Sequence, residues 1–349
     1  MNKTLFLLSF LLLWNTASAQ LGGQNAYEFL SLPSSSRITA LGGTLITVHD
    51  DDVALALHNP AVLDSMMHNQ LSFNHNFHLA GISNGYVNYG RILPWYGLTA
   101  HAGVQYVDYG TFRLTDEIGS ILGEFDAGEM AVVLGVGKQL NERIRAGINI
   151  KAISANYESY SSTGIASDLG VYYENPASRF SAALVVQNVG MQLSTFTDNR
   201  ESLPFDLQIG VSQRLKHLPF RLSITGHNLH RYGVRYDDPD VVVSADPFGN
   251  VEQENAFNQG LDNIFRHLIF GGEFLLGRKE NLRLRFGYNH LRRQELKVTQ
   301  FRSLGGFSLG FGLKIYKFRI DYGVGHYHLG GATNHISIST NFSEYRKKI

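Results

Sequence analysis

The sequence predicts an all-β fold: a transmembrane antiparallel β-barrel of about 14 strands with a small N-terminal hatch segment. Three observations carry that expectation. Apolar and polar residues alternate with period two along segments of mostly ten to thirteen residues. The connections between these segments alternate between short and long, and the chain opens with an export signal.

The leader comes first. Lys3 supplies a positive n-region, positions 5–14 an apolar core, and Ala17-Ser18-Ala19 a small-residue cleavage box before Gln20. The apolar run is short for a membrane span, so residues 1–19 read as a signal peptide rather than an anchor. Residues 20–67 then form the expected hatch, 68–343 the barrel and 344–349 a short basic tail.

Beyond the leader no run of eighteen apolar residues occurs, which excludes helical spans. Alternation recurs instead. Phe307, Leu309, Phe311, Leu313 and Ile315 alternate with Ser308, Gly310, Gly312 and Lys314. Leu282, Leu284, Phe286 and Tyr288 alternate with Arg283, Arg285, Gly287 and Asn289. Ile148 and Ile150 flank Asn149, and Ile336 and Ile338 flank Ser337, in the same way. Successive side chains on a strand point to opposite faces, so each segment has one greasy and one polar or glycine-lined face. The segments fall near 69–79, 82–92, 97–109, 127–139, 143–156, 163–174, 178–189, 205–215, 219–230, 264–276, 281–294, 303–315, 318–327 and 333–342. Globular strands average about five or six residues, whereas a tilted membrane-crossing strand needs about nine to eleven. These are membrane lengths.

Short connections lie at 93–96, 140–142, 175–177, 216–218 and 277–280, and long ones at 110–126, 190–204 and 231–263. Short turns at one rim and long loops at the other mark an outer-membrane barrel. With the N-terminus periplasmic, parity places the long loops outside the cell. Closure follows because lipid offers no partner to an unpaired backbone N–H or C=O. A secreted β-sandwich fits less well, since the strands are long and their apolar faces almost uninterrupted. Arg145, Lys151, Arg283, Arg285, Arg319 and Asp321 fall on the polar faces and predict a charged lumen. Trp95, Tyr96, Tyr106, Tyr109, Tyr172, Tyr173, Tyr322 and Tyr327 lie near strand ends, where interfacial girdles are expected.

Composition excludes other classes. The 349 residues carry 30 basic and 30 acidic side chains, which argues against nucleic acid as a partner. The absence of cysteine removes disulfide frameworks, thiolate zinc sites and thiol nucleophiles. A mean hydropathy of -0.11 with 36 glycines and 41 aromatic residues fits walls that average a lipid face against a polar one.

The hatch has its own wording. Gly42 and Gly43 permit a tight turn at positive φ. Asp50, Asp51 and Asp52 precede the apolar stretch 53–57 and are placed to cap a short helix, where carboxylates favour the dipole. Asn59-Pro60-Ala61 ends it, because proline disfavours the α region in the residue before it.

In order and spacing these elements resemble the FadL-like outer-membrane barrels, fourteen-stranded proteins with an N-terminal hatch. The stretches 22–30 and 50–61 are most similar to the PorV/PorQ branch of the type IX secretion system. The resemblance is strong over 22–65 and only architectural over 70–349. It implies a non-enzymatic anchor or scaffold in an attachment complex. Its implied partners are outer-membrane lipid and lipopolysaccharide and a PorZ-like surface protein, with PorU and PorV nearby. The wider FadL resemblance implies the alternative, a transporter of hydrophobic small molecules. The basic tail after Phe342 departs from barrels that stop at a terminal aromatic.

No catalytic or metal constellation competes with these readings. The fourteen histidines lack helical metal-ligand spacing, the Asp50 run lacks calcium-loop spacing, and Ser34 to Ser36 have no nucleophile elbow. No enzyme activity and no cofactor are expected. The long loop 231–263 mixes Tyr232, Tyr236, Phe248 and Phe257 with Asp237, Asp238, Asp240 and Asp246. Aromatics set among polar residues suit a protein interface, so this loop, with 110–126 and 190–204, is the expected docking surface.

Overall fold

The computed structural model describes residues 25–235, 256–296, 304–328 and 331–345. Among them fourteen strands form one closed antiparallel barrel, each strand paired with its sequence neighbours and the first with the last. They are β1 Gln70–Phe77, β2 Ser83–Leu93, β3 Leu98–Thr115, β4 Ile121–Gln139, β5 Ile144–Tyr157, β6 Tyr160–Asn175 and β7 Phe180–Ser194. There follow β8 Asp206–Arg214, β9 Phe220–Gly226, β10 Leu268–Leu276, β11 Leu282–Asn289, β12 Phe307–Ile315, β13 Phe318–His328 and β14 Gly331–Asn341. The seam runs in register from Gln70 opposite Asn341 to Phe77 opposite Asn334. No described helix is long and apolar enough to cross a membrane.

The wall is an inside-out protein. Phe307, Leu309, Phe311, Leu313 and Ile315 are all exposed on the outer face of β12, whereas Arg283 and Arg285 of β11 are buried inside. Ile148 and Ile150 point out while Asn149 and Lys151 point in. Exposed apolar side chains in continuous bands mark a lipid-facing surface. The face assignment made from period two therefore holds strand by strand.

Several boundaries differ from expectation; β10, for one, begins at Leu268 rather than near 264, because Ala256–Arg266 is helical. The stretch 110–126 is a tall hairpin rather than a loop: β3 and β4 continue past a bulge at Asp108 and Gly110, with Phe112 opposite Phe125. Its tip is closed by Asp116, whose carboxylate accepts the N–H groups of Ile118 and Ser120. β7 likewise extends to Ser194, leaving a shorter loop. β9 stops at Gly226 rather than near 230. β11 stops at Asn289, whose side chain caps a helix by accepting the Arg292 N–H at 3.1 Å.

The girdle expectation also needs correcting. Tyr172 is buried inside against His49, and Tyr327 turns inward to donate to the Thr39 carbonyl. Tyr109 faces inward too, donating to the buried Glu129.

Residues 25–69 fill the lumen. A 3-10 turn at Glu28–Ser31, helix α1 at Ser36–Ala40 and 3-10 turns at Val53–Leu57, Pro60–Val62 and Ser65–Met67 build the plug. Its apolar core (Ile38, Leu45, Ile46, Leu55, Val62) is fully buried and packs on Tyr172 and Val185 of the wall. Glycine on the inner wall lets the plug backbone approach. A Cβ at Gly147, for example, would run into Pro60 and come within 2.7 Å of the Ala61 nitrogen.

Candidate functional site

The polar contacts that seat the plug start from α1. Ser35 caps it by accepting the Ile38 N–H, and this presents Arg37, 2% exposed, to three carboxylates. Arg37 makes a two-pronged contact with Asp50 at 2.8 and 3.0 Å, reaches Asp52 at 3.2 Å and reaches Glu273 of β10 at 3.0 Å. Arg285 binds Glu273 at 2.8 Å and Asp321 at 2.5 Å. Arg319 grips Asp51 with both guanidinium nitrogens, at 2.8 and 3.0 Å. Arg221 and Arg283 complete the ring from the wall. At the centre of this network five arginines face five carboxylates, in formal charge balance, and Arg283 links it outward to Glu280 at 3.7 Å. Burial by itself would lift the Asp50 carboxyl, but Arg37, Arg283 and Arg221 hold it well below the usual carboxylate range.

The acidic run therefore divides its work. Asp52 caps the Val53–Leu57 turn by accepting the Ala54 N–H at 3.2 Å, as its position predicts. Asp50 instead binds α1 within the plug and, with Asp51, ties the plug to the wall. Gly42 and Gly43 sit at φ 96 and 101. Asn59 accepts from Ala61 at 2.9 Å, capping the turn that Pro60 begins, and donates to the Ile46 carbonyl at 2.7 Å. Ser34, Ser35 and Ser36 hold the hatch: Ser34 donates to the Ala54 carbonyl, and the Ser36 N–H donates to Ser337.

Of the expected docking residues, Tyr232 and Phe257 are exposed, at 84% and 69%. Tyr236, Asp237, Asp238, Asp240, Asp246 and Phe248 lie outside the described residues. Helix α2, Ala256–Arg266, closes this loop and packs beside α3, His290–Glu295. The same rim carries the tall β3–β4 hairpin and the 195–205 loop, which meets the hatch where Asn25 bridges Ser202.

Arg37, Glu273 and Arg221 had no role in the sequence reading. A lone glutamate within the apolar stretch of β10 was the available signal, since a buried wall carboxylate needs a cationic partner. A second pair, Lys151 with Asp168 at 2.9 Å, is equally buried and is completed by Asn188 at 2.8 Å.

At the short-turn rim His49 lies 2.9 Å from Asp64 and 3.3 Å from Glu174. Burial pulls its pKa down, but the two carboxylates outweigh burial and Arg145 and raise it from 6.5 to about 9. A raised folded-state pKa contributes stability that is complete below 6.5 and lost as pH rises through about 9. Thermal midpoints measured between these values should therefore fall more steeply for the native protein than for His49→Gln; parallel curves would remove His49 from the account.

Two cavities flank the plug. One of about 390 Å³ at the short-turn rim is lined by His49, Glu174, Arg179 and Arg214. One of about 220 Å³ toward the long-loop rim is lined by Glu28, His58, Gln208 and Arg292. Both linings are rich in polar groups. An apolar cleft of about 350 Å³, by contrast, is lined by the outward-facing Leu134, Ile148 and Ile150. Among the described residues, no three His, Asp or Glu side chains gather to hold a metal.

No protein-family model and no curated protein matches the chain. Solved structures do. The CymD monoaromatic hydrocarbon channel aligns over 91% of this chain and 99% of its own, with 13% identity and a TM-score of 0.52. In fold, this barrel is similar to that channel. A TodX monoaromatic hydrocarbon channel carrying the ΔS2S3 mutation aligns over 89% and 99%, with 14% identity and a TM-score of 0.50. A Pseudomonas aeruginosa FadL homologue aligns over 88% and 98%, with 9% identity and a TM-score of 0.48.

Proposed function

We propose that this protein is a closed, non-enzymatic outer-membrane barrel that acts as a scaffold, presenting its long-loop rim to a partner. The observation that supports this most is the filled lumen: a plug pinned by a balanced ten-residue ion network, with polar cavities on either side. A conduit for hydrophobic molecules needs a continuous apolar path, which charged linings do not offer. The hatch wording at 22–30 and 50–61 supports the finer proposal, an anchor in a type IX secretion attachment complex holding a PorZ-like surface protein.

A second reading has its own support. CymD and the TodX variant are hydrocarbon channels by description, and they share the barrel architecture at TM-scores of 0.52 and 0.50. The fold comparisons therefore favour a channel for hydrophobic small molecules over the secretion anchor, while the polar interior favours a sealed scaffold.

The deciding experiment is affinity purification from outer membranes in mild detergent, using the native chain and a variant lacking 237–252. A surface protein that co-purifies with the native chain and is lost from a still heat-modifiable deletion variant supports the scaffold. A partner retained by the variant removes the loop from the interface. Absence of any protein partner, together with bound aromatic hydrocarbon, establishes the channel.

A further inference from the structure

Helix α2 carries an exposed apolar stripe. Phe257, Leu261, Ile264 and Phe265 recur at the spacing of one helix face, and at 3.6 residues per turn they occupy a sector of about 100°. All four are exposed. The opposite side is anchored to the barrel top. Asn263 is buried and bonds the Tyr232 carbonyl and the Val234 N–H. Asp262 holds His290 at 2.9 Å and Arg266 at 2.6 Å. The stripe thus lies on the side of the helix away from these anchoring contacts.

Its direction is fixed by Phe265. That ring lies 6.4 Å from Phe270, which shares the outward face of β10 with the exposed Phe274, and 6.0 Å from His290. Phe270 stands opposite Tyr288 of β11, which in turn packs 4.9 Å from the exposed Phe307 of β12. The stripe is therefore continuous with the lipid-facing band at its aromatic edge.

We infer that α2 is an interfacial helix, lying with Phe257, Leu261, Ile264 and Phe265 in the headgroup–acyl boundary beside β10 to β12. Lipid is the occupant because the stripe joins a lipid-facing surface edge to edge and carries no charge, while Asp262 and Arg266 stay on the side tied to the barrel. Helices with one apolar and one polar face settle at that depth. Phe257 then leaves the docking surface and becomes part of the membrane anchor of the long loop. This placement is independent of whether the barrel is a scaffold or a channel.

The test is a single-tryptophan reporter. Trp95, which the exported chain retains once the leader with Trp14 is cleaved, is replaced by phenylalanine, Phe257→Trp is introduced, and the protein is reconstituted in phosphatidylcholine vesicles with or without brominated acyl chains. The expected result is blue-shifted emission, lost when bromine sits high on the acyl chain and insensitive to aqueous acrylamide. Ile118→Trp in the same background, at the 88% exposed tip of the β3–β4 hairpin, supplies the aqueous reference. Leu261→Trp repeats the reading from the next turn of α2. Emission at both helix positions that matches the Ile118→Trp reference, quenched by acrylamide and untouched by bromine, would overturn the assignment.

Discussion

Replacing Arg37 by methionine should unlock the plug. The substitution keeps an unbranched side chain of similar length but leaves Asp50, Asp52 and Glu273 without the guanidinium they share. Four arginines then face five carboxylates at a buried site. Breaking a buried ion pair by removing one partner costs about 3–5 kcal/mol, because the remaining charge is uncompensated. The cost falls on the plug itself, through Asp50 and Asp52, and on its contact with the wall, through Glu273, since the backbone ladders of the barrel do not involve Arg37. The heat-modification temperature on semi-native gels should drop, and planar bilayers should be silent with the native protein and conduct with the variant. Arg37→Lys should rescue little, as a single ammonium cannot reproduce the two-pronged grip on Asp50 together with contacts to Asp52 and Glu273. A methionine variant with the native melting temperature and a silent bilayer would show that packing alone seats the plug.

That network marks where sequence reading stopped. The faces of the wall were legible because lipid and lumen impose opposite chemistries on alternate residues, so Arg283, Arg285, Arg319 and Asp321 could be placed inside from parity alone. Their partners were not, because Arg37 and Glu273 are 236 positions apart and nothing local couples them. The tall hairpin was missed for the converse reason. Thr111, Arg113, Glu124 and Asp126 belong to a ribbon whose two neighbours, β2 and β5, stop pairing at Asp108 and Ala127, so no lipid band enforces a greasy face there. For Tyr172 and Tyr327 residue type misled where parity did not. Tyr172 shares its face with Asp168 and Gly170, and Tyr327 with Asp321 and Gly323. The glycines and the Asp-Asn-Pro wording of the hatch were readable because caps and turns are local.

Gly287→Val tests the other half of the seating, shape rather than charge. A Cβ at this inner-wall position would collide with the backbone of Leu41 and Gly42 and lie 2.5 Å from the Ser308 hydroxyl. The hatch cannot easily step aside. Gly42 and Gly43 turn at φ 96 and 101, and the Gly42 carbonyl is held by Asn289 at 3.3 Å. Overpacking a filled core costs about 1–3 kcal/mol, and more where the obstacle is backbone. The ladder itself should survive, because Gly287 pairs with Gly271 on one side and Ser308 on the other through main-chain groups that valine retains. The expected product is a closed barrel with an unseated plug: heat-modifiable on gels, cleaved by protease within residues 25–67, and conducting in bilayers. Gly123→Val is the matched control, since its Cβ would meet nothing within 4 Å, and its stability should change by no more than about 0.5 kcal/mol. If Gly287→Val resists protease as the native protein does, the inner-wall glycines are not what admits the hatch. If it opens as Arg37→Met does, charge and shape each hold the same seal, and losing either one suffices to break it.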